Sequence, residues 1–331
     1  MEKKILKFAT IGHLDYKERI NQIPKEWIQE KLIVSPEFNL NKTSGYFFIL
    51  KLTAQQMMDL PRDKIRRSVL EAALFAQDEL DVELIQLGAF TTSVTNGGVW
   101  LAEQKGYTGF VNHGDSYTAA VTCQAVRKAL NLFKKKPSNQ TLAIVGAYGI
   151  IGEAVSKILV PQFSHSILIG RKENKLKELK EKLDGDFELT THLKTKKADV
   201  IITATSHPTA LLNSRHLKEN AIIVDVSQPP NLLQDVCQNR PDICRIDGGY
   251  VDFSKGFQIP IPGMPKGKLF ACIVEVIMQA MENERKNHVG SINLKHLNKT
   301  EEWAKKYGFT LKELTNFGKI VFERKNKINI N

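Results

Sequence analysis

Cysteine is scarce in this chain. Four are present in 331 residues, at positions 123, 237, 244 and 272, and none forms a Cys-x-x-Cys pair. That excludes a disulfide-built scaffold and a zinc-finger module. A chain of this length buries a core without cross-links. Four reduced thiols are therefore the ordinary reading, with at most one of them chemically special. Long apolar runs are missing as well. The stretch Leu269–Val274 is typical, far short of the ~20 residues that a bilayer-crossing helix needs, so no transmembrane segment is expected. The opening MEKKILKFATIGHLD is charged and broken by Lys7. It does not read as a signal peptide, and a cytoplasmic protein is expected.

Acidic residues are in deficit: 36 Asp and Glu stand against 47 Lys and Arg, a net charge of +11. Such a surface attracts phosphates or an acidic partner, although lysine-rich usage can also reflect base composition alone. No basic stripe interleaved with aromatics appears, so no nucleic-acid partner is expected. No His, Asp and Glu cluster has ligand spacing, so no metal is read from the sequence. Internal repeats and low-complexity linkers are also missing.

What is present is an α/β pattern. Residues 3–11 and 45–53 are strand-like, rich in β-branched and aromatic residues. Residues 62–78 are helical, with Ile65, Val69, Ala72 and Leu74 on one face. VELIQLG (82–88) reads as a buried strand, 98–105 as a short helix, 108–113 as a strand and 115–134 as a long amphipathic helix. From there the alternation is regular: TLAIVG (141–146), HSILIG (165–170), DVIITAT (199–205), AIIVDV (221–226) and CRIDGG (244–249) are apolar runs spaced by helices. That spacing indicates a parallel sheet covered on both faces. Helices are expected at 267–284 and near 297–307, and the tail ERKNKININ reads as loosely held. The fold class is thus a Rossmann-type parallel-sheet domain at 138–255. An α/β substrate domain at 1–137 precedes it, and a C-terminal helical segment at 256–331 follows.

The sharpest motif is VGAYGIIGEAV (145–155), with glycines spaced G-x-x-G-x-x-G after a strand and before a helix. That context is what a dinucleotide site requires. Gly146 permits the tight turn, Gly149 lets backbone approach a pyrophosphate, and Gly152 lets helix and strand pack closely. Ala147, Tyr148, Ile150 and Ile151 complete the loop, where phosphates would meet N–H groups at a helix N-terminus. The residue that recognises ribose in NAD-binding domains is usually acidic. Here the second strand ends at Gly170, followed by Arg171 and Lys172, and arginine there pairs with a 2′-phosphate. NADPH is the expected cofactor. Thr203, Ala204, Thr205, Val226 and Gly248 sit at strand ends on the ligand-binding edge of such a sheet.

The chain resembles the long-chain acyl-[acyl-carrier-protein] reductases, which form fatty aldehydes. The matching segments run in order through nearly the whole chain: IGHL (11–14), LGAFTT (87–92), HGDSYTA (113–119), VGAYGIIGEAV (145–155), LIGRKENKL (168–176), IDGGYV (246–251), KLFACIVE (268–275) and KKYGF (305–309). The resemblance implies NADPH-dependent reduction of an acyl thioester, donated by acyl carrier protein or coenzyme A, through an acyl-cysteine. The aldehyde would pass to a consuming enzyme. The family's nucleophile is the cysteine of Phe-Ala-Cys, here Cys272. Read alone, Cys272 in LFACIV is a buried core thiol. Against that, it falls near the start of the expected helix, with Lys266 and Lys268 close in sequence, and such a setting lowers a thiol pKa. His13, Tyr117 and Thr118 are candidate hydrogen-bond donors to a developing oxyanion. The chain departs from the family pattern at Asp115 and Tyr117, where Asn and His are usual.

Two other readings stay open. A shikimate dehydrogenase-like enzyme would act on a small hydroxy acid through a Lys/Asp pair and would not need Cys272. A glutamyl-tRNA reductase would carry its cysteine in the first domain, yet none precedes Cys123. A non-catalytic dinucleotide-binding protein would keep the glycine motif and turn nothing over.

Overall fold

The computed structural model describes residues 5–40, 42–253, 259, 264–265 and 267–321. Lys266 and the tail from residue 322 lie outside the described residues. In chain order the principal elements begin with β1 (Phe8–Leu14), β2 (Leu32–Val34), β3 (Phe38–Leu40), β4 (Thr43–Thr53), α1 (Ala54–Asp59) and α2 (Arg62–Leu80). Next come β5 (Leu84–Leu87), α3 (Phe90–Val94), α4 (Val99–Ala102), β6 (Phe110–Asn112) and α5 (Asp115–Leu132). The regular alternation follows with β7 (Thr141–Val145), α6 (Ile150–Leu159), β8 (His165–Ile169), α7 (Glu173–Lys180), β9 (Phe187–Thr190), β10 (Val200–Thr203), β11 (Ile222–Asp225), α8 (Gln234–Asn239) and β12 (Cys244–Asp247). The chain then forms β13 (Tyr250–Asp252), β14 (Lys268–Phe270), α9 (Ala271–Met281), α10 (Leu294–Tyr307), β15 (Thr315–Asn316) and β16 (Lys319–Ile320).

These elements form two compact units: residues 1–117 with 253–310, and residues 118–252 with 311–331. Where the sequence reading sets 256–331 apart as one C-terminal segment, the contacts divide it. Residues 253–310 join the first unit and 311–331 the second. The boundary near residue 137 falls instead within α5.

In the first unit a sheet runs β2-β4-β1-β5-β6, with β3 also on β4. The β1, β4, β5 and β6 pairs are parallel, and β2 and β3 run antiparallel to β4. Ile11 of β1 stands between Phe48 and Leu87. The 3.6-residue periodicity of α2 is realised: Ile65, Val69, Ala72, Ala73 and Ala76 are buried on one face. The Thr53–Gln56 capping box starts α1. The late helix is shorter than its apolar run. Gly267 takes φ +76°, residues 268–270 are extended, and Phe270 is the N-cap, so α9 opens only at Ala271. It then lies on β1, β4 and β5.

The second unit is a six-stranded parallel sheet in the order β12-β11-β10-β7-β8-β9. Numbered from its own first strand, that is 3-2-1-4-5-6 read from the β9 edge, the order of dinucleotide-binding folds. Ala143, Val145, Ile167, Ile201 and Ile223 form the core on one face. At the carboxyl edge Arg245 is buried between two carboxylates, with Nη2 3.1 Å from Asp225 and Nη1 2.6 Å from Asp247. Asp225 also accepts from Thr203 Oγ1 and from the N–H groups of Asn231 and Leu232. Asp247 accepts from the N–H groups of Phe317 and Gly318 in the β15–β16 turn. One guanidinium therefore ties two strand ends to a distant hairpin. Removing it leaves two buried carboxylates without their counter-ion. Arg245→Ala is expected to lower stability by ~3–5 kcal/mol, read as a fall in the urea midpoint at unchanged m-value.

Candidate functional site

The glycine turn in the second unit is a cradle that side chains would fill. Gly146 has φ +92°, and a Cβ there would lie 2.3 Å from the Ala204 carbonyl oxygen. A Cβ on Gly152 would lie 2.1 Å from the Gly146 oxygen. Gly149 is the N-cap of α6, whose first turn is Ile150, Ile151 and Gly152. The N–H groups of a first helical turn have no partner within the helix. The N–H groups of Gly146 and Ala147 both donate to Ile169 O, pinning the turn to β8. The turn thus sits between β7 and β10, where the strand order reverses and ligands bind in such sheets.

The other residues anticipated here divide into lining and support. Tyr148 lays its ring where a Cβ on Gly170 would be, 2.4 Å away. Arg171 and Lys172 are exposed at the start of α7. Thr205 donates its N–H to Ser227 Oγ and its hydroxyl to Asn231 Oδ1, while Asn231 Nδ2 is buried with no hydrogen-bond partner. Gly248 backs onto Val226, because a Cβ on Gly248 would meet Val226 Cγ2 at 2.6 Å. Thr203 is wholly buried, and its hydroxyl is committed to Asp225 at 2.6 Å. It supports the edge from within. An open cradle beside an orphaned amide fits a dinucleotide with its phosphates on α6.

In the first unit, Cys272 is the second residue of α9. It lies against the turn that opens α5: Gly114 has φ +72°, and a Cβ there would come 2.3 Å from Cys272 O and 2.6 Å from Cys272 Cβ. Only glycine fits that position. The carboxyl of Asp115 is largely shielded, 15% exposed, and that desolvation together with Glu275 raises its pKa well above the ordinary range. Glu275, one turn after Cys272, is wholly buried. Burial opposes its ionisation, but His296 at 3.1 Å, His113 and the Tyr117 N–H at 2.7 Å outweigh that and hold its carboxyl below the usual value.

The helix N-terminus expected to activate the thiol is there, and the N–H groups of Cys272 and Ile273 lower its pKa, but they are outweighed. Burial, then Asp115, then Glu275 push Cys272 up to about 12. One carboxyl bearing on the sulfur, Asp115, is brought in by tertiary packing, and the other, Glu275, stands one turn on in the same helix. Lys268 lies in β14 before the helix begins.

The three candidate donors differ in their surroundings. Both ring nitrogens of His13 face backbone: Nδ1 lies 2.9 Å from Leu14 O, and Nε2 accepts from the Phe90 N–H at 3.4 Å. Burial lowers its pKa. It holds the end of β1 as a structural histidine. Tyr117 is buried, and its hydroxyl donates to Phe309 O at 2.6 Å. Thr118 belongs to the second unit, where its methyl lies 3.3 Å from a Cβ placed on Gly249. The group that does stand beside the thiol is Asp115, backed by Glu275 and by His113. Burial pushes His113 down to about 4, and its Nδ1 accepts the Asp115 N–H. Glu275 was the legible omission, because a lone acid within an apolar helical run is a buried-charge signal.

Comparison with known proteins adds the following. The family described as Shikimate / quinate 5-dehydrogenase matches residues 127–247. The aminotransferase PigE of a Serratia species is 26% identical over 97% of this chain, and the chain spans only 38% of that protein. The long-chain acyl-[acyl-carrier-protein] reductase of Synechococcus elongatus is 27% identical over 91% of this chain and 98% of its own length. Among solved structures, L-tryptophan dehydrogenase from Nostoc punctiforme superposes with a TM-score of 0.42 at 12% identity, covering 91% of this chain and 80% of that one.

Asp115 gives this site a pH signature. A carboxyl whose folded pKa is raised stabilises the fold fully below its unfolded value, ~3.9, and loses that contribution as pH rises through the folded value. Asp115→Asn removes the titration. The stability of the wild type relative to this variant is expected to fall steadily as pH rises above about 4, measured by urea unfolding across the range. A flat difference would mean that Asp115 ionises normally.

Proposed function

We propose that this chain is an NADP-dependent oxidoreductase that reduces a long-chain acyl thioester to the aldehyde, with the acyl group held on Cys272. Acyl carrier protein is the proposed donor, with coenzyme A as the alternative carrier, and an aldehyde-consuming enzyme takes the product. The observation that carries this reading is the setting of Cys272, a thiol at the start of α9 held against Gly114 with two carboxyls bearing on it. Similarity along nearly the full length of the Synechococcus elongatus reductase supports it, and the net charge of +11 suits an acidic carrier.

The residues divide the work. Gly146, Gly149 and Gly152 keep side chains out of the pyrophosphate path, and Arg171 with Lys172 meets the 2′-phosphate. When bound, NADPH supplies the hydride. Asp115, as the carboxylate, accepts the Cys272 proton as Sγ bonds to the acyl carbon and hands it to the carrier sulfur, which departs as free thiol. When the bond between Sγ and that carbon breaks, the sulfur regains a proton and the aldehyde leaves.

A thiol raised to about 12 favours a second reading, a dehydrogenase of a small hydroxy acid in which Cys272 only packs. Intact mass spectrometry separates the two. Incubated with palmitoyl-acyl carrier protein and no NADPH, the wild type is expected to gain one palmitoyl group. Cys272→Ala gains none, and NADPH discharges the adduct as aldehyde. Turnover by the variant should fall by more than ~10³-fold, as removal of a covalent nucleophile does. An unmodified wild type that still binds NADPH, or full activity in Cys272→Ala, moves the assignment to the second reading. For the cofactor, Arg171→Ala should weaken NADPH binding by about 10- to 100-fold, the loss of one charged hydrogen bond, and leave NADH binding unchanged. Fluorescence titration with both dinucleotides measures the contrast.

A further inference from the structure

We propose that Glu284, His288 and His296 form a binding site for a zinc-class divalent ion, with Glu275 and Lys299 orienting its ligands. The site lies wholly within the first unit and shares Glu275 with the surroundings of Cys272. The residues are separated by four and eight positions in the chain, a spacing that matches no ligand motif, so only the fold brings them together. One potential donor atom from each lies within 4.8 Å of the others. In a tetrahedral zinc site with bonds of ~2.0–2.1 Å, donors stand ~3.4 Å apart. The widest of these separations must close by about 1.4 Å, and the two stacked rings must turn out of parallel so that one ion lies in both ring planes.

Each ligand is held from behind. His288 is fixed by its backbone, since its N–H donates to Val111 O at 2.8 Å and its carbonyl accepts from His113 N–H at 3.2 Å. His296 is in the first turn of α10, which Asn293 caps. The two imidazoles stack with centroids 3.5 Å apart and planes 8° from parallel, and the Trp303 ring meets His296 edge-on. His296 Nε2 lies 3.1 Å from Glu275 Oε1. A carboxylate on one imidazole nitrogen fixes the tautomer and presents the other nitrogen to a metal. Glu284 is oriented in the same way. Its Oε1 takes Lys299 Nζ at 2.7 Å, while its Oε2 is 3.2 Å from His288 Nε2. That last contact is the one an ion would replace, with its proton released to solvent.

The donor set selects the ion. Two imidazoles and a carboxylate suit zinc and neighbouring first-row divalent ions, whereas magnesium and calcium ask for oxygen ligands. Three protein ligands leave a fourth position for water. Lys299 is the cation that faces the cluster. The nearby Arg285 and Lys306 are paired with Glu83 and Glu282.

The test uses the full chain, stripped with EDTA, equilibrated with zinc sulfate, gel-filtered and analysed for metal by mass spectrometry. About one zinc per chain should be retained. Cobalt should give the visible bands of a nitrogen and oxygen site with no thiolate charge-transfer band. Glu284→Gln and His288→Ala should each weaken zinc binding by at least ~100-fold, the upper end of what outer-ligand changes alone do. Glu282→Gln, which touches only Lys306 and Tyr307, should bind as the wild type does. Thermal melting in EDTA checks that each variant folds. If His288→Ala does not, Glu284→Gln decides. The proposal is overturned by a wild type that retains no zinc, by equal retention in Glu284→Gln, or by a cobalt–thiolate band that puts the ion on a cysteine.

Discussion

Glu275 is wholly buried on α9, and a carboxylate in that position persists only with donors arranged around it. Here the donors come from separate stretches of chain: the Tyr117 N–H at the opening of α5 and the His296 ring at the opening of α10. Satisfying one acid therefore fixes how three helices meet in the first unit. It sets the rotation of α9 about its axis, and with it the direction of Cys272 one turn earlier. It also fixes where α5 begins, which places Gly114 against the cysteine. The thiol, its carboxyl neighbour and the paired histidines are arranged by that single requirement.

How much of this was readable differs between the units. The parallel sheet of the second unit announces itself through apolar runs at regular intervals, and Gly146, Gly149 and Gly152 occupy the turn their spacing demands. The close approach at Gly152, to Gly146 O, is local within one β-turn-α unit, while that at Gly146 is to Ala204 just beyond β10. The surroundings of Cys272 were not readable in the same way. Lys268 is near in sequence and so is Glu275, but the stronger of the two carboxyls acting on the sulfur, Asp115, is over 150 residues away. A local argument predicted a lowered thiol pKa, and the packing reverses its sign. Tyr117 and His13 fail as free donors for the same reason, since their polar atoms are taken by Phe309, Leu14 and Phe90. The departure of the sequence at Asp115 from the usual Asn takes on chemical meaning here. When protonated, a carboxyl donates a hydrogen bond as an amide does, and when ionised it accepts a proton, which an amide does not.

The two units also differ in how they handle buried charge. In the second, Arg245 is enclosed by Asp225 and Asp247, so a cation sits among anions and the network is closed. In the first, carboxyls gather around a neutral thiol and the neutral His113 ring. The closed network ties strand ends together, and the open one shifts the proton affinities of its members.

The first unit is built from two pieces of chain, 1–117 and 253–310, with most of the second unit encoded between them. Synthesis proceeds from the N-terminus, and domains generally fold as units while it does. All six strands of the second sheet have emerged by Asp247, before α9 exists. The nascent first unit must wait with β1, β4 and β5 bare on the face that α9 later covers. Its exposed Phe, Ile and Leu side chains are then a liability for association with other chains. The order of the genetic message thus makes the parallel sheet the early folder, and the cysteine-bearing helix the piece that completes the earlier half.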